Sequence, residues 1–220
     1  MRTRTFVVAG AALLAAACSG RGCGWGGPKA PEGGLPTTTR GDGRTYRVLD
    51  KGTWKGYYDA QGRLSVVEYD SNGDGRPDYV AHYDESKQIR LIEVDEDGDA
   101  WVDRWEHYGP TGVLEKVGRW RKARGKEDEW TFRGPDGRAV RIEYDDDGDG
   151  RPDRAETLRE GLVTGVETDT DRDGRMDRWQ TWDHGHVTSE VLDTDGDGRP
   201  DRRLVFGPGG RLVRVERVTP

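Results

Sequence analysis

An acidic nonapeptide, D-x-[D/N]-x-D-[G/A]-x-x-D, recurs five times in this chain, beginning at Asp70, Asp95, Asp145, Asp169 and Asp193. Each copy carries side-chain oxygens at positions 1, 3, 5 and 9, an oxygen-only donor set suited to a hard cation such as Ca²⁺. In the copy at 145 the donors are Asp145, Asp147, Asp149 and Asp153, with Gly150 at position 6 and the backbone carbonyl of Arg151 at position 7 as a fifth ligand. Glycine suits position 6 because the chain must turn sharply around the ion. The same assignment gives Asp70, Asn72, Asp74 and Asp78 with the Arg76 carbonyl, and Asp95, Asp97, Asp99 and Asp103 with that of Trp101. It also gives Asp169, Asp171, Asp173 and Asp177 with Arg175, and Asp193, Asp195, Asp197 and Asp201 with Arg199. Nineteen carboxylates and one amide are committed in this way. Ala100 replaces the position-6 glycine of the second copy. A left-handed residue with a Cβ costs roughly 1 kcal/mol or more, so that site is expected to be the weakest of the five.

The string resembles the calcium loops of EF-hands, dockerin repeats, thrombospondin type 3 repeats and integrin-type propeller blades. The resemblance spans nine residues per copy and implies up to five Ca²⁺ ions. An EF-hand needs flanking helices and a bidentate Glu at position 12. Position 12 here is Ala81, Glu106, Glu156, Gln180 and Leu204 in turn, and the residues after the loops, such as Arg104-Trp105-Glu106-His107-Tyr108, are strand-like. A strand-loop-strand site, as in the propeller-type loops, is the closer comparison.

The loop starts are 25, 50, 24 and 24 residues apart, a period that signals an array of small units. Within the 50-residue gap the frame places Trp120, Lys122 and Arg124 at the first three ligand positions and keeps only Asp128 at position 9, so this unit is expected to hold no metal. One period upstream of Asp70 the frame falls on Thr45, Arg47, Leu49 and Thr53, again without ligands. Seven units therefore run from about residue 45 to 218, five of them metal-competent. After each loop the pattern is strand, turn, strand. Asp59-Ala60-Gln61-Gly62, Gly109-Pro110-Thr111-Gly112, Gly134-Pro135-Asp136-Gly137 and Gly207-Pro208-Gly209-Gly210 supply the turns. The expected fold is all-β, a tandem array of β-hairpins making an antiparallel meander of about fourteen strands, with the calcium loops along one edge. Tyr58-Asp59-Ala60-Gln61-Gly62-Arg63-Leu64 also resembles the core of bacterial RHS/YD repeats.

With 32% hydrophobic and 35% charged residues and 33 glycines, the chain is a poor core former. Its apolar residues nevertheless recur at set strand positions: Leu64, Val66, Ile89, Leu91, Val113, Val140, Ile142, Val187, Val191, Val213 and Val215 in second strands, and Trp105, Trp130 and Trp179 in first strands. These are the expected core. The net charge is -7, and five divalent ions would more than offset it. Neighbouring loops, two strands or roughly 10 Å apart, repel when empty.

The first residues, Met1-Arg2-Thr3-Arg4 followed by an apolar run from Phe6 to Ala17, read as an export signal over 1-17, too short to span a bilayer permanently. Leu14-Ala15-Ala16-Ala17-Cys18 resembles a lipobox, which implies that Cys18 becomes the lipidated N-terminus. Ser19 after it implies sorting to the outer membrane. Read instead as an ordinary A-x-A cleavage site, Ala15-Ala16-Ala17 would release a soluble product in which Cys18 and Cys23 could pair. Residues 18-44, rich in Gly, Pro and Thr, read as a tether, and 45-220 as the repeat array.

No nucleophile-base pair and no phosphate loop before a helix is visible, so no catalytic residues are assigned and the chain is not expected to be an enzyme. The acidic balance argues against nucleic acid. His184 and His186 lack a third ligand and read as polar turn residues. Two readings remain: a calcium-rigidified surface lipoprotein acting as a structural or adhesive module, and a binder of carbohydrate or envelope polymer through exposed aromatics. They part on whether Trp105, Trp130 and Trp179 stand exposed in a row.

Overall fold

A computed structural model describes residues 34-218. The segment 1-17 read as an export signal, Cys18 and Cys23 lie outside the described residues. Sixteen strands follow one another: β1 (Thr37–Thr39), β2 (Thr45–Asp50), β3 (Trp54–Tyr58), β4 (Leu64–Tyr69), β5 (Tyr79–Tyr83), β6 (Ile89–Val94), β7 (Arg104–Tyr108), β8 (Leu114–Arg119), β9 (Glu129–Arg133), β10 (Ala139–Tyr144), β11 (Arg154–Arg159), β12 (Leu162–Thr168), β13 (Arg178–Asp183), β14 (His186–Leu192), β15 (Arg202–Phe206) and β16 (Leu212–Arg217). They form one antiparallel sheet in which spatial order is sequence order. Among the described residues no helix is long and apolar enough to cross a membrane.

The seven expected hairpins are β3-β4 through β15-β16. Two further strands precede them. The ligand-free frame at Thr45, Arg47 and Leu49 is the strand β2, and it pairs with β1 from the segment read as tether. Thr45-Tyr46-Arg47-Val48-Leu49 alternates in a β-compatible way and carries no Asp or Gly with which to turn.

Two turn types explain the two periods. In β1-β2 and in five of the seven expected hairpins a three-residue connection closes with its last residue left-handed, as when Asp59 N–H bonds Arg63 O at 2.9 Å and Gly62 takes φ 76°. In β11-β12 and β13-β14 the connection is the two-residue pair Glu160-Gly161 or His184-Gly185, both residues at positive φ, as a type I′ turn demands. These two units are one residue shorter, which gives the 24-residue spacing.

All seven hairpins also carry a register shift just inside the turn, for example between Tyr57 and Tyr58. The extra residue on the second strand reverses the faces counted from the turn. Counting alternation straight through the hairpin places Val113, Val140 and Val213 in the core, but all three are exposed, because Val113 belongs to the turn and Val140 and Val213 occupy the inserted position. Val215 is exposed for another reason: β16 has one neighbouring strand among the described residues.

The buried residues gather at the N-terminal end and on both faces. Tyr58, Leu64, Val67, Ala81, Ile92 and Val94 form one cluster and Tyr46, Tyr57 and Val66 another. Adjacent Val66 and Val67 point to opposite faces, so each strand here is apolar on both sides. Toward the C-terminus ion pairs replace apolar contacts, with Arg141 joined to Glu143 and Glu167 at 2.7 and 3.0 Å and Arg178 to Glu190 at 2.7 Å. Of the three tryptophans, Trp105 is 7% exposed and Trp130 and Trp179 are half-buried. Each stands opposite a glutamate: Glu93, Glu143 and Glu167 respectively.

Candidate metal centre

Because each loop joins the second strand of one hairpin to the first of the next, every loop falls on the same edge. The loops are tied to one another by the main chain. Asp95 N–H donates to Asp78 O, Asp145 to Asp128 O, Asp169 to Asp153 O and Asp193 to Asp177 O, all at 2.8 to 3.0 Å. Position 1 of each of these loops is thus hydrogen-bonded to position 9 of the loop before it.

Within a loop the aspartates first organise the backbone. Asp145 accepts from Gly148 N–H at 2.6 Å and Gly150 N–H at 2.9 Å, and the equivalent pairs recur at Asp70, Asp95, Asp169 and Asp193. Position 5 accepts the N–H of position 7: Asp74 from Arg76, Asp99 from Trp101, Asp149 from Arg151, Asp173 from Arg175 and Asp197 from Arg199, at 2.7 to 2.9 Å. Position 9 folds back onto the start of its own loop. Asp78, Asp103, Asp153, Asp177 and Asp201 each accept the N–H of position 2.

The ligand-poor loop keeps this last device. Asp128, 2% exposed, accepts N–H groups from Arg121, Lys122 and Ala123 at 2.6, 2.7 and 3.1 Å. Its survival there therefore has a structural cause apart from any ion, which the ligand pattern did not reveal. The signal was present in the sequence as the one carboxylate at a ligand position of that loop.

Four of the five loops gather three carboxylates whose oxygens lie within 4.8 Å of one another: Asp95, Asp97 and Asp99; Asp145, Asp147 and Asp153; Asp169, Asp171 and Asp177; and Asp193, Asp195 and Asp197. These clusters could hold metal ions. Asp103, Asp149, Asp173 and Asp201 fall outside these triplets in their loops. In the first loop the Asn72 amide nitrogen donates to Asp78 at 2.9 Å. One donor position there is occupied by an internal bond.

Two observations bear on whether these residues fit a cation. Asp145 and Asp169 are buried, at 1% and 6% exposed, and a buried charge needs compensation. Asp177 Oδ1 is buried with no hydrogen-bond partner, an acceptor left open beside Asp169 and Asp171. Although the Asp173 amide pulls the other way, desolvation and repulsion from Asp173, Asp177 and Asp169 push the Asp171 carboxyl above the usual carboxylate range. In the first loop the Gly75 and Gly73 amides outweigh desolvation and hold Asp70 below that range.

Because the folded pKa of Asp171 is raised, its ionised form opposes folding at neutral pH, and that penalty fades as pH falls through the raised value. Asp171→Asn should accordingly act with opposite signs. In EDTA at pH 7 the melting temperature should rise slightly, and in Ca²⁺ it should fall as a ligand charge is lost. The gain in EDTA should shrink as pH falls through the raised value. A loss of equal size in both buffers would show that Asp171 serves the loop without a metal.

Position 6 is left-handed in all five loops, Ala100 included at φ 73°, as the glycine pattern predicts. Position 4 is left-handed as well, with Gly73, Gly98, Gly148 and Gly196 there and Arg172 forced to φ 63°. The recurrent glycine at position 4 was the available sequence cue. Ala100→Gly relieves strain without touching a ligand and should stabilise the chain by about 1 kcal/mol in both Ca²⁺ and EDTA, read from a urea midpoint. An unchanged midpoint would mean that the surrounding contacts absorb the strain.

No protein-family model matches this chain, and no curated protein sequence does. Solved structures with partial likeness include a GtfA/B complex bound to UDP and GlcNAc (TM-score 0.30, 13% identity, 56% of this chain and 24% of that one). A porin-like protein from Bacteroides uniformis ATCC 8492 gives TM-score 0.27 at 9% identity over 77% of this chain and 90% of that one. TcdB2-TccC3-Cdc42 gives 0.21 at 12% identity over 82% and 13%. The chain thus spans about a quarter of the first structure's length and about an eighth of the third's.

Proposed function

We propose that this is a calcium-binding repeat lipoprotein, exported and anchored through lipidated Cys18 to the outer membrane, which acts as a structural or adhesive module at the envelope surface. The observation that carries the calcium reading is the row of acidic loops on one edge, four with carboxylates gathered within 4.8 Å, one of these four also holding a buried, unpartnered oxygen on Asp177. Oxygen-only donors favour Ca²⁺ over softer ions.

The sheet supports a scaffold more than a polymer binder. Trp105 is buried, and glutamates stand opposite Trp105, Trp130 and Trp179, so that face offers alternating carboxylates and indoles rather than an open aromatic track.

Calorimetric titration with Ca²⁺ tests the reading. Four to five sites are expected, with Mg²⁺ weaker because its small octahedral shell suits a crowded carboxylate loop poorly. No heat and no saturable binding would remove the metal from the function. Palmitate labelling that depends on Cys18 tests the anchor separately.

A further inference from the structure

The loop at 120-128 has exchanged ligands for cations, and those cations reach sideways into both neighbouring loops. Toward the loop at 95, the Arg124 guanidinium pairs with Asp99, and the Trp120 indole N–H donates to Asp103 Oδ1 at 3.1 Å. Trp101 of that loop packs over Gly125, where a Cβ would come within 2.7 Å of the indole. Toward the loop at 145, Arg121 and Lys122 pair with Asp146 at 2.7 and 3.0 Å, and the Lys126 ammonium lies 3.9 Å from the buried Asp145 carboxylate.

The two lysines do more than meet carboxylates. Lys122 Nζ donates to Asp146 O at 2.6 Å and Lys126 Nζ to Gly148 O at 2.8 Å. Ammonium groups thus sit on main-chain carbonyls beside a ligand carboxylate, taking the kind of oxygen contacts a bound ion takes. No such cationic loop flanks the acidic loops at 169 and 193.

We propose that the 120-128 loop is a built-in counter-ion, which supplies fixed positive charge to the acidic loops at 95 and 145 and competes there with a divalent ion. The charge compensation stands on the contacts alone; the competition rests on the calcium reading above. Two classes of site follow. Among the described residues no lysine or arginine pairs with the ligand carboxylates of the loops at 70, 169 and 193, whereas those at 95 and 145 are partly neutralised before any ion binds. The middle of the array then stays ordered when calcium is scarce.

The test compares the full wild-type chain with Lys122→Gln/Arg124→Gln/Lys126→Gln. In EDTA at low ionic strength the variant should melt several degrees lower, and the difference should shrink in roughly 1 M salt, where screening is nearly complete. Equal melting in EDTA overturns the counter-ion. In a Ca²⁺ titration the variant should bind two ions about tenfold more tightly while the remaining sites stay unchanged. Uniform tightening or none, in a wild type that does bind Ca²⁺, overturns the competition. If neither protein binds Ca²⁺ the calcium reading falls, and the melting comparison still decides the counter-ion. Lys126→Gln alone, at a side chain half-exposed to solvent, guards against misfolding of the triple variant and should tighten one site only.

Discussion

Moving the protein from EDTA into millimolar Ca²⁺ is expected to raise its melting temperature by roughly 15 °C or more. An ion at about ten times its Kd adds roughly 1.4 kcal/mol by mass action, and four or five such ions rival the whole stability of an ordinary domain. The effect should be large because the rest of the chain contributes little. The two apolar clusters lie within the first part of the sheet, and the strands beyond depend on ion pairs that are partly open to solvent. Asp145→Asn/Asp149→Asn should cut the Ca²⁺-dependent rise and lower the EDTA melt by a smaller amount, because Asp145 takes the Gly148 and Gly150 N–H groups on separate oxygens and asparagine keeps one acceptor. An identical melt in the two buffers would make the loops acidic turns held by their own amides.

Asp128→Ala should behave in the opposite way, costing about 3 kcal/mol and the same amount with Ca²⁺ as without it. The side chain is buried and its two oxygens take three backbone N–H groups, so its removal strands three donors at once. Asp128→Asn keeps one acceptor oxygen and should fall between wild type and Ala. Chemical denaturation in EDTA and in Ca²⁺ separates the outcomes. A destabilisation seen only in Ca²⁺ would mean that Asp128 works through a metal after all.

The architecture was legible because its punctuation is chemical. Turn residues such as Gly62, Gly112 and Gly137 and the acidic nonapeptides mark opposite ends of each hairpin, and a two-ended unit at a fixed period can only stack as a meander. The initial hairpin escaped because no acidic nonapeptide follows β2, and its turn glycine, Gly43 at φ 74° in the Arg40-Arg44 closure, lies in the segment read as tether. The face assignments of Val140 and Val213 failed because a bulge has no residue signature of its own, and one inserted residue exchanges inside for outside. At the metal loops the ligand types could be read directly. What could not be read was the second occupation of the same carboxylates: Asp78, Asp103, Asp128, Asp153, Asp177 and Asp201 all brace their loops, and a brace and a ligand look alike in a string of letters. The reach of Arg124 and Lys126 into adjacent loops was also hidden, since it depends on which strands become neighbours.

Because every strand pairs only with the strands before and after it, no contact in the sheet waits on the closure of a long stretch of chain. Folding can begin at any hairpin and spread outward, at a speed set by local contacts rather than by chain length. A whole unit can equally be removed or duplicated without altering the topology of the rest. The array is then a ruler whose length is written in the number of units, and growth by one unit lengthens the acidic edge by two strand spacings, roughly 10 Å.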